Sequence, residues 1–349
     1  MQRDDLVGIS TGWARAEPQP TAHVNGRAGW IPHTQVIAAL VLLAAAIWAT
    51  SAGAPPAFAA GSPNWGTGIK ATLPADAGTI QSTVLSSVSC ASAGDCAAVG
   101  SYYDSSNNRQ ALLLTESAGT WAMGVKATPP AGAGTNPTVS LNSVSCASAG
   151  NCAAVGTYFD SSNTKQGLLL TESAGTWAMG VKAILPAGAG TSPNPSLYSV
   201  SCAAAGDCAA VGNYTDSSNH QQALLLTESA GTWAMGVKAT LPAVAATSPS
   251  ANLYSVSCAS AGNCAAVGYY YDSSGHQQAL LLTESAGTWA MGVNATLPAD
   301  AATNPGAGLI SVSCASAGNC AAVGTYFDSS NTQQGLLLTE SAGTWAMGA

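Results

Sequence analysis

The sequence predicts an all-β protein built from five copies of one small sheet, and three observations carry that prediction. The chain repeats itself every 56 residues: Trp65, Trp121, Trp177, Trp233, Trp289 and Trp345 are evenly spaced, and the register never slips. Each period holds four short strand-like runs divided by turns rich in Gly, Asn, Asp and Ser. No stretch keeps apolar residues at helical spacing over successive turns without a Gly or Pro.

The unit beginning at Trp121 shows the elements in order. Strand a is expected over 141–146 (LNSVSC), and a short Ala-Ser-Ala-Gly-Asn turn leads to strand b over 152–159 (CAAVGTYF). The turn opened by Asp160 leads to strand c over 166–172 (QGLLLTE). Ser-Ala-Gly-Thr then leads to strand d over 177–184 (WAMGVKAI). A Pro, Gly, Ala, Ser and Thr connection crosses to the next unit. Leu168, Leu169 and Leu170 are apolar on both faces, as in a sheet covered on both sides. Four such strands per repeat predict a β-propeller of five blades, with terminal strands closing the ring. An open β-repeat array is the alternative architecture.

The ten cysteines form five pairs of one spacing: Cys90/Cys96, Cys146/Cys152, Cys202/Cys208, Cys258/Cys264 and Cys314/Cys320. Zinc sites favour C-x2-C spacing or nearby histidines, and after residue 59 the histidines are only His220 and His276. A disulfide closing the a–b hairpin of each unit is therefore expected, worth about 2 kcal/mol apiece in the chain-entropy model. Five disulfides imply an oxidising destination. Residues 36–49 (VIAALVLLAAAIWA) read as the core of an export signal, with Ala57-Phe58-Ala59 supplying a cleavage site. The expected division is thus an N-terminal extension and signal over 1–59 and a mature repeat domain over 60–349. The mature chain is secreted, or, if the signal is retained, held to a membrane by it. Net charge is −8, all of it arising after residue 59. An acidic surface repels phosphate backbones and anionic lipid, so nucleic acid and membrane are not expected partners.

The segment 171–177 (TESAGTW), present in every unit, resembles the Asp-box turn of sialidase-type propellers, S-x-D-x-G-x-T-W. It carries Ser where the motif has Asp and is one residue shorter. The resemblance implies a turn between the third and fourth strands of a blade, and no sialidase activity. SVSCASAGNCAAVG with a downstream LLLTE and GTW resembles a repeat of secreted bacterial propeller-like proteins, which implies fold and export. In architecture the arrangement is similar to tachylectin-type lectins, whose five blades each carry one sugar site.

An enzyme site needs unlike groups converging once, whereas nearly every ionisable residue here recurs with the repeat. Glu116, Glu172, Glu228, Glu284 and Glu340 lie by the c–d turn, and the repeated aspartates lie by the b–c turn. The two sets should emerge on opposite faces, so the carboxylate pair of a glycoside hydrolase is not expected. No cofactor or metal is expected either. Candidate ligand groups are the repeated pairs Tyr102 and Asp104, Tyr158 and Asp160, Tyr214 and Asp216, Tyr270 and Asp272, and Tyr326 and Asp328. An exposed aromatic beside a carboxylate suits sugar stacking, while the same residues can instead pack and form the turn. Differences between units concentrate after Asp-Ser-Ser and in the d–a connections, which makes that face the expected partner surface. The sequence therefore predicts a monomeric, multivalent binder of carbohydrate or cell-surface polymer. The alternative is a structural module that docks a protein.

Overall fold

Turn chemistry shapes each sheet of the computed structural model, which describes residues 66–79 and 82–347. The expected signal, its cleavage site and Trp65 lie outside the described residues. Contacts divide the chain at Gly68/Ile69, and all five sheets belong to the unit from Ile69 onward. In the second repeat, strand a spans Ser140–Ser148, strand b Asn151–Phe159 and strand c Lys165–Ser173. Strand d comes in two pieces, Thr176–Trp177 and Val181–Lys182, both paired with strand c. The other four sheets begin at Val84, Ser196, Asn252 and Gly308, and in each the strands pair in the order a, b, c, d. No helix occurs among the described residues.

The a–b hairpin turns on Ala149 and Gly150, the glycine at φ 70°. This places Cys146 directly opposite Cys152, with Cα atoms 4.0 Å apart, and all five expected disulfides are present. Strand a bulges between Leu141 and Ser143, bringing its backbone against Gly156 of strand b. A Cβ at Gly156 would lie 1.9 Å from the Ser140 carbonyl oxygen, which explains the glycine in each AAVG run. The c–d turn places Ala174 and Gly175 at φ 48° and 78°, the left-handed pair of a tight hairpin. That turn is tied to the a–b turn: the Ala174 N–H donates to Asn151 Oδ1 (3.3 Å) and the Gly175 N–H to the Gly150 carbonyl (2.9 Å). Strand d, expected unbroken, is interrupted at Gly180. Its N–H donates out of the sheet to the Thr128 carbonyl (2.8 Å), and Leu168 fills the space a side chain would need.

Successive sheets stack face to face. One face of each blade offers two small or branched residues from strand b and two from strand c, such as Ala97, Val99, Ala111 and Leu113. We call this the forward face. It packs on the rear face of the next blade, where Leu141, Val144, Cys152, Tyr158, Leu168 and Leu170 point. The same contact recurs between blades two and three, three and four, and four and five. Strands a are also stitched together. Ser87 Oγ accepts from the Val144 N–H (3.2 Å) and Ser89 Oγ from the Cys146 N–H (3.0 Å), and the later interfaces repeat both bonds.

The disulfides staple their hairpins as expected, and the structure adds a second role. The strand-b cysteines Cys96, Cys152, Cys208, Cys264 and Cys320 are all buried. Of these, Cys152, Cys208, Cys264 and Cys320 belong to the inter-blade cores, because alternation along strand b turns them to the rear face, under the preceding blade. Their strand-a partners Cys146, Cys202, Cys258 and Cys314 are only partly buried at the margin of the same cores. In the first blade, which no predecessor covers among the described residues, Cys96 is buried but lies in none of these cores, and its partner Cys90 is exposed. Each covered disulfide thus serves as packing material as well as a cross-link.

The all-β bladed class read from the sequence is the observed one, and the tryptophans of strand d pack against the hydrophobic cores as expected. Closure by terminal strands is where the structure differs. Each sheet completes itself from one repeat, residues 66–75 form no strand, and blade-to-blade packing runs from first to fifth without a matching first-to-fifth contact among the described residues. The physical reason is local: strand d follows strand c through a two-residue turn, so no blade waits for a strand from the other end of the chain.

Gly156→Ala is expected to destabilise the protein by about 3 kcal/mol or more, because backbone must move to admit the methyl group. Gly132→Ala, with open space around its Cβ position, is expected to change stability by less than about 0.5 kcal/mol. Urea unfolding of the two variants checks both.

Candidate functional site

The sequence-derived candidates have structural roles at one end of each blade. Tyr102, Tyr158, Tyr214, Tyr270 and Tyr326 are at most 5% exposed, with their rings in the hydrophobic cores, so none offers a face for stacking. Alternation along strand b puts the tyrosine on the rear face and leaves its neighbour (Tyr103, Phe159, Thr215, Tyr271 or Phe327) half-buried. Each aspartate closes its own turn. Asp160 Oδ1 accepts from the Ser162 and Thr164 N–H groups (2.9 and 3.0 Å), and Oδ2 from Gln166 Nε2 (2.7 Å). The Thr164 N–H bond, chiefly, holds the Asp160 carboxyl below the usual carboxylate range. Asp104, Asp216, Asp272 and Asp328 make the same bonds. The d–a connection lies against this turn, as expected, through bridges such as Ala133–Asp160 in all five blades. His220 and His276 belong to the same turns and donate backbone N–H groups to the aspartates.

The opposite end, where the a–b and c–d turns meet, holds repeated clefts between blades. Their volumes are about 370 Å³ between blades one and two, 400 Å³ between three and four, and 390 Å³ between four and five. Each is lined by a strand-c Thr of the leading blade and by the disulfide, turn backbone and strand-c Glu of the following one. The leading blade adds its own strand-b cysteine, so Cys96 lines the first of these clefts and Cys208 the one between blades three and four. The glutamates Glu172, Glu228, Glu284 and Glu340 are 2–3% exposed. They point rearward, so the preceding blade covers them. Glu116 has no preceding blade among the described residues and is only half-buried.

Hydrogen bonding leaves these carboxylates short. Trp233 Nε1 donates to Thr171 Oγ1 (3.3 Å), and that hydroxyl donates to Glu228 Oε1 (2.8 Å). Glu228 Oε2 has no partner within the protein, nor have both oxygens of Glu172, Glu284 Oε1 or Glu340 Oε2. The indole N–H groups of Trp177, Trp289 and Trp345 are also without one. Burial raises the pKa of all four glutamates; for Glu228 the Thr171 bond opposes that rise and the charge of Asp207 adds to it. Glu172 and Asp160 sit at opposite ends of strand c, roughly 25 Å apart by strand rise. The carboxyl pairs of glycoside hydrolases stand within about 10 Å of each other. No group of three or more His, Cys, Asp or Glu is arranged to hold a metal among the described residues.

Sequence reasoning missed these glutamates as buried groups, because a charged residue beside a turn reads as solvated. It also missed an aromatic cluster. Tyr198 and Tyr254, on strands a of blades three and four, lie 5.6 Å apart between ring centroids, and Tyr254 lies 5.7 Å from Tyr269. All three are half-buried, and burial pushes Tyr269 up to about 12. Asn142 and Ile310 occupy the Tyr198 position in blades two and five, so the signal was a departure from the repeat rather than the repeat itself.

No protein-family model matches the sequence, and no curated protein matches it. Among solved structures the chain is similar to the Hadza microbial sialidase Hz136, at 10% identity over 74% of this chain and 56% of that one, with a TM-score of 0.45. It is similar to a Trypanosoma rangeli sialidase in complex with the inhibitor DANA, at 12% identity over 77% and 50% of the two chains and a TM-score of 0.43. It is also similar to the fucose-specific lectin from Aleuria aurantia, at 11% identity over 76% and 95%, with a TM-score of 0.37. The chain thus spans about half the length of the sialidases it matches.

The buried glutamates make stability depend on pH in a defined direction. With its folded pKa raised above 4.5, Glu228 keeps its proton longer in the folded than in the unfolded chain. Its contribution is intact below about pH 4.5 and is lost as pH rises through the folded value. Glu228→Gln is therefore expected to melt like the parent near pH 4 and at a higher temperature above pH 7. Calorimetry at the two pH values checks this.

Proposed function

We propose that the protein is a multivalent binder whose inter-blade clefts each accept a hydroxyl-bearing unit of a carbohydrate or cell-envelope polymer, without catalysis. The observation that carries this reading is the recurrence of a buried glutamate with an unpartnered oxygen at the floor of one cleft after another. A sugar hydroxyl supplies the missing donor. Weak sites repeated along one molecule gain strength by avidity on a polymer. Five disulfides accord with an extracellular setting, where such polymers are met. The b–c and d–a surface, expected from sequence variability to hold the partner, has its aspartates committed to their own turns, which favours the opposite end.

A second reading has its own support. Met123 and Val125, Met179 and Val181, Met235 and Val237, and Met291 and Val293 are all 46–58% exposed along successive outer strands. A row of flexible apolar side chains suits the docking of a protein.

Isothermal titration with soluble cell-wall glycans separates the two. The first reading expects close to four equivalent sites, one per blade contact, and loss of heat when Glu172, Glu228, Glu284 and Glu340 are together changed to Gln. Absence of binding across neutral and acidic glycans, with a single protein ligand bound per chain, would establish the second.

A further inference from the structure

The two ends of the blade series are halves of the same contact. At the fifth blade no successor covers the forward face among the described residues: Val323 is 38% and Leu337 65% exposed, while their counterparts Val267 and Leu281 in the fourth blade are 0% and 1% exposed. At the first blade no predecessor covers the rear face among the described residues: Leu85 and Val88 are 50% and 62% exposed, against 1% and 5% for Leu141 and Val144. The polar stitching is left half-made in the same way. Ser311 and Ser313 are the fifth blade's equivalents of the accepting hydroxyls, and Val88 and Cys90 carry the first blade's equivalents of the donating amides. None of the four makes an inter-blade bond of this kind among the described residues.

The exposed rear face is also hollow. A cavity of about 440 Å³ lies against it, lined by Ile69, Leu85, Val88, Ala98, Leu114 and Trp121 among others. In every internal contact, the corresponding rear surface is filled by the forward leucine and valine of the preceding blade.

We propose that the protein assembles head to tail, the forward face of the fifth blade of one copy seating on the rear face of the first blade of a second. The occupant is specified by continuity: each exposed face is a near-copy of one that already has a partner four times over within the chain. Such a contact is heterologous, so it propagates into chains of copies unless rotation closes them into a ring. It also accounts for the exposed leucines and valines, which a monomer would leave in water. The monomer expected from a shut ring gives way to an assembly because both end faces are uncovered among the described residues.

Sedimentation velocity of the purified protein over a range of concentrations tests the proposal. Species of increasing integral mass are expected. Val88→Lys and Leu337→Lys each put a charge on one half of the contact while leaving the other half intact, and both positions are exposed enough for the fold to tolerate lysine. Each variant alone is expected to be monomeric. An equimolar mixture is expected to form dimers and nothing larger, since only one sound contact can then be made. A monomeric parent at tens of micromolar overturns the proposal, whether hydrogen exchange finds the end strands open or protected by closure within one chain. Growth that ignores both lysines overturns it as well.

Discussion

The contact between one blade's forward face and the next blade's rear face is the constraint on which everything else in the molecule depends. A single sheet of this sequence has no core of its own: strand b centres on an Ala-Ala-Val-Gly run, and only strand c carries consecutive leucines. Those leucines bury because a sheet lies on each side of them, and the tyrosine and cysteine of strand b go into the same layer. Stability of such a molecule is close to a sum of blade terms and neighbour terms. The disulfide in each a–b hairpin adds to the blade term as a cross-link and, where a blade covers it, to the neighbour term as buried sulfur.

The same contact divides each blade into two ends with different chemistry. At the b–c end, Asp160 and its equivalents commit both oxygens to their own loop and to a glutamine of strand c, and the d–a connection is bridged to that loop. The aspartates there are satisfied. At the a–b end the blades meet over clefts whose glutamates face a neighbour that supplies a hydroxyl to one oxygen at most. Small side chains in both turns, Ala149 and Gly150 in one and Ala174 and Gly175 in the other, keep those clefts from filling.

Much of the fold was legible in the sequence because the repeat makes each feature its own replicate. The period, the four strands, the cysteine pairing and the placement of Glu and Asp at opposite ends all follow from local spacing. What was not legible depends on direction across the stack. Alternation along strand b says that Tyr158 and Phe159 face opposite ways, but not that the rear face is the one sealed by a neighbour. For the same reason the spacing pairs Cys202 with Cys208 without showing that Cys208 is the buried member. That gap also hides Glu172, whose position next to a turn suggests water until the preceding blade is placed over it. The break in strand d at Gly180 escapes for a related reason, since its N–H bonds to a linker carbonyl 52 residues earlier rather than to anything in its own strand.

The energetic position of the glutamates is the strongest ground for treating the clefts as more than gaps in packing. An ionised carboxylate out of water is costly unless fully hydrogen-bonded, and a glutamine would keep the acceptor for the threonine hydroxyl while removing the charge. The chain nevertheless places Glu in all five repeats, including the first, where Glu116 has no covering blade among the described residues and is half-buried. Packing alone gives no reason for the acid at the four covered positions. Under the proposed function, a ligand that brings hydroxyl donors into the cleft would meet the unpartnered oxygen.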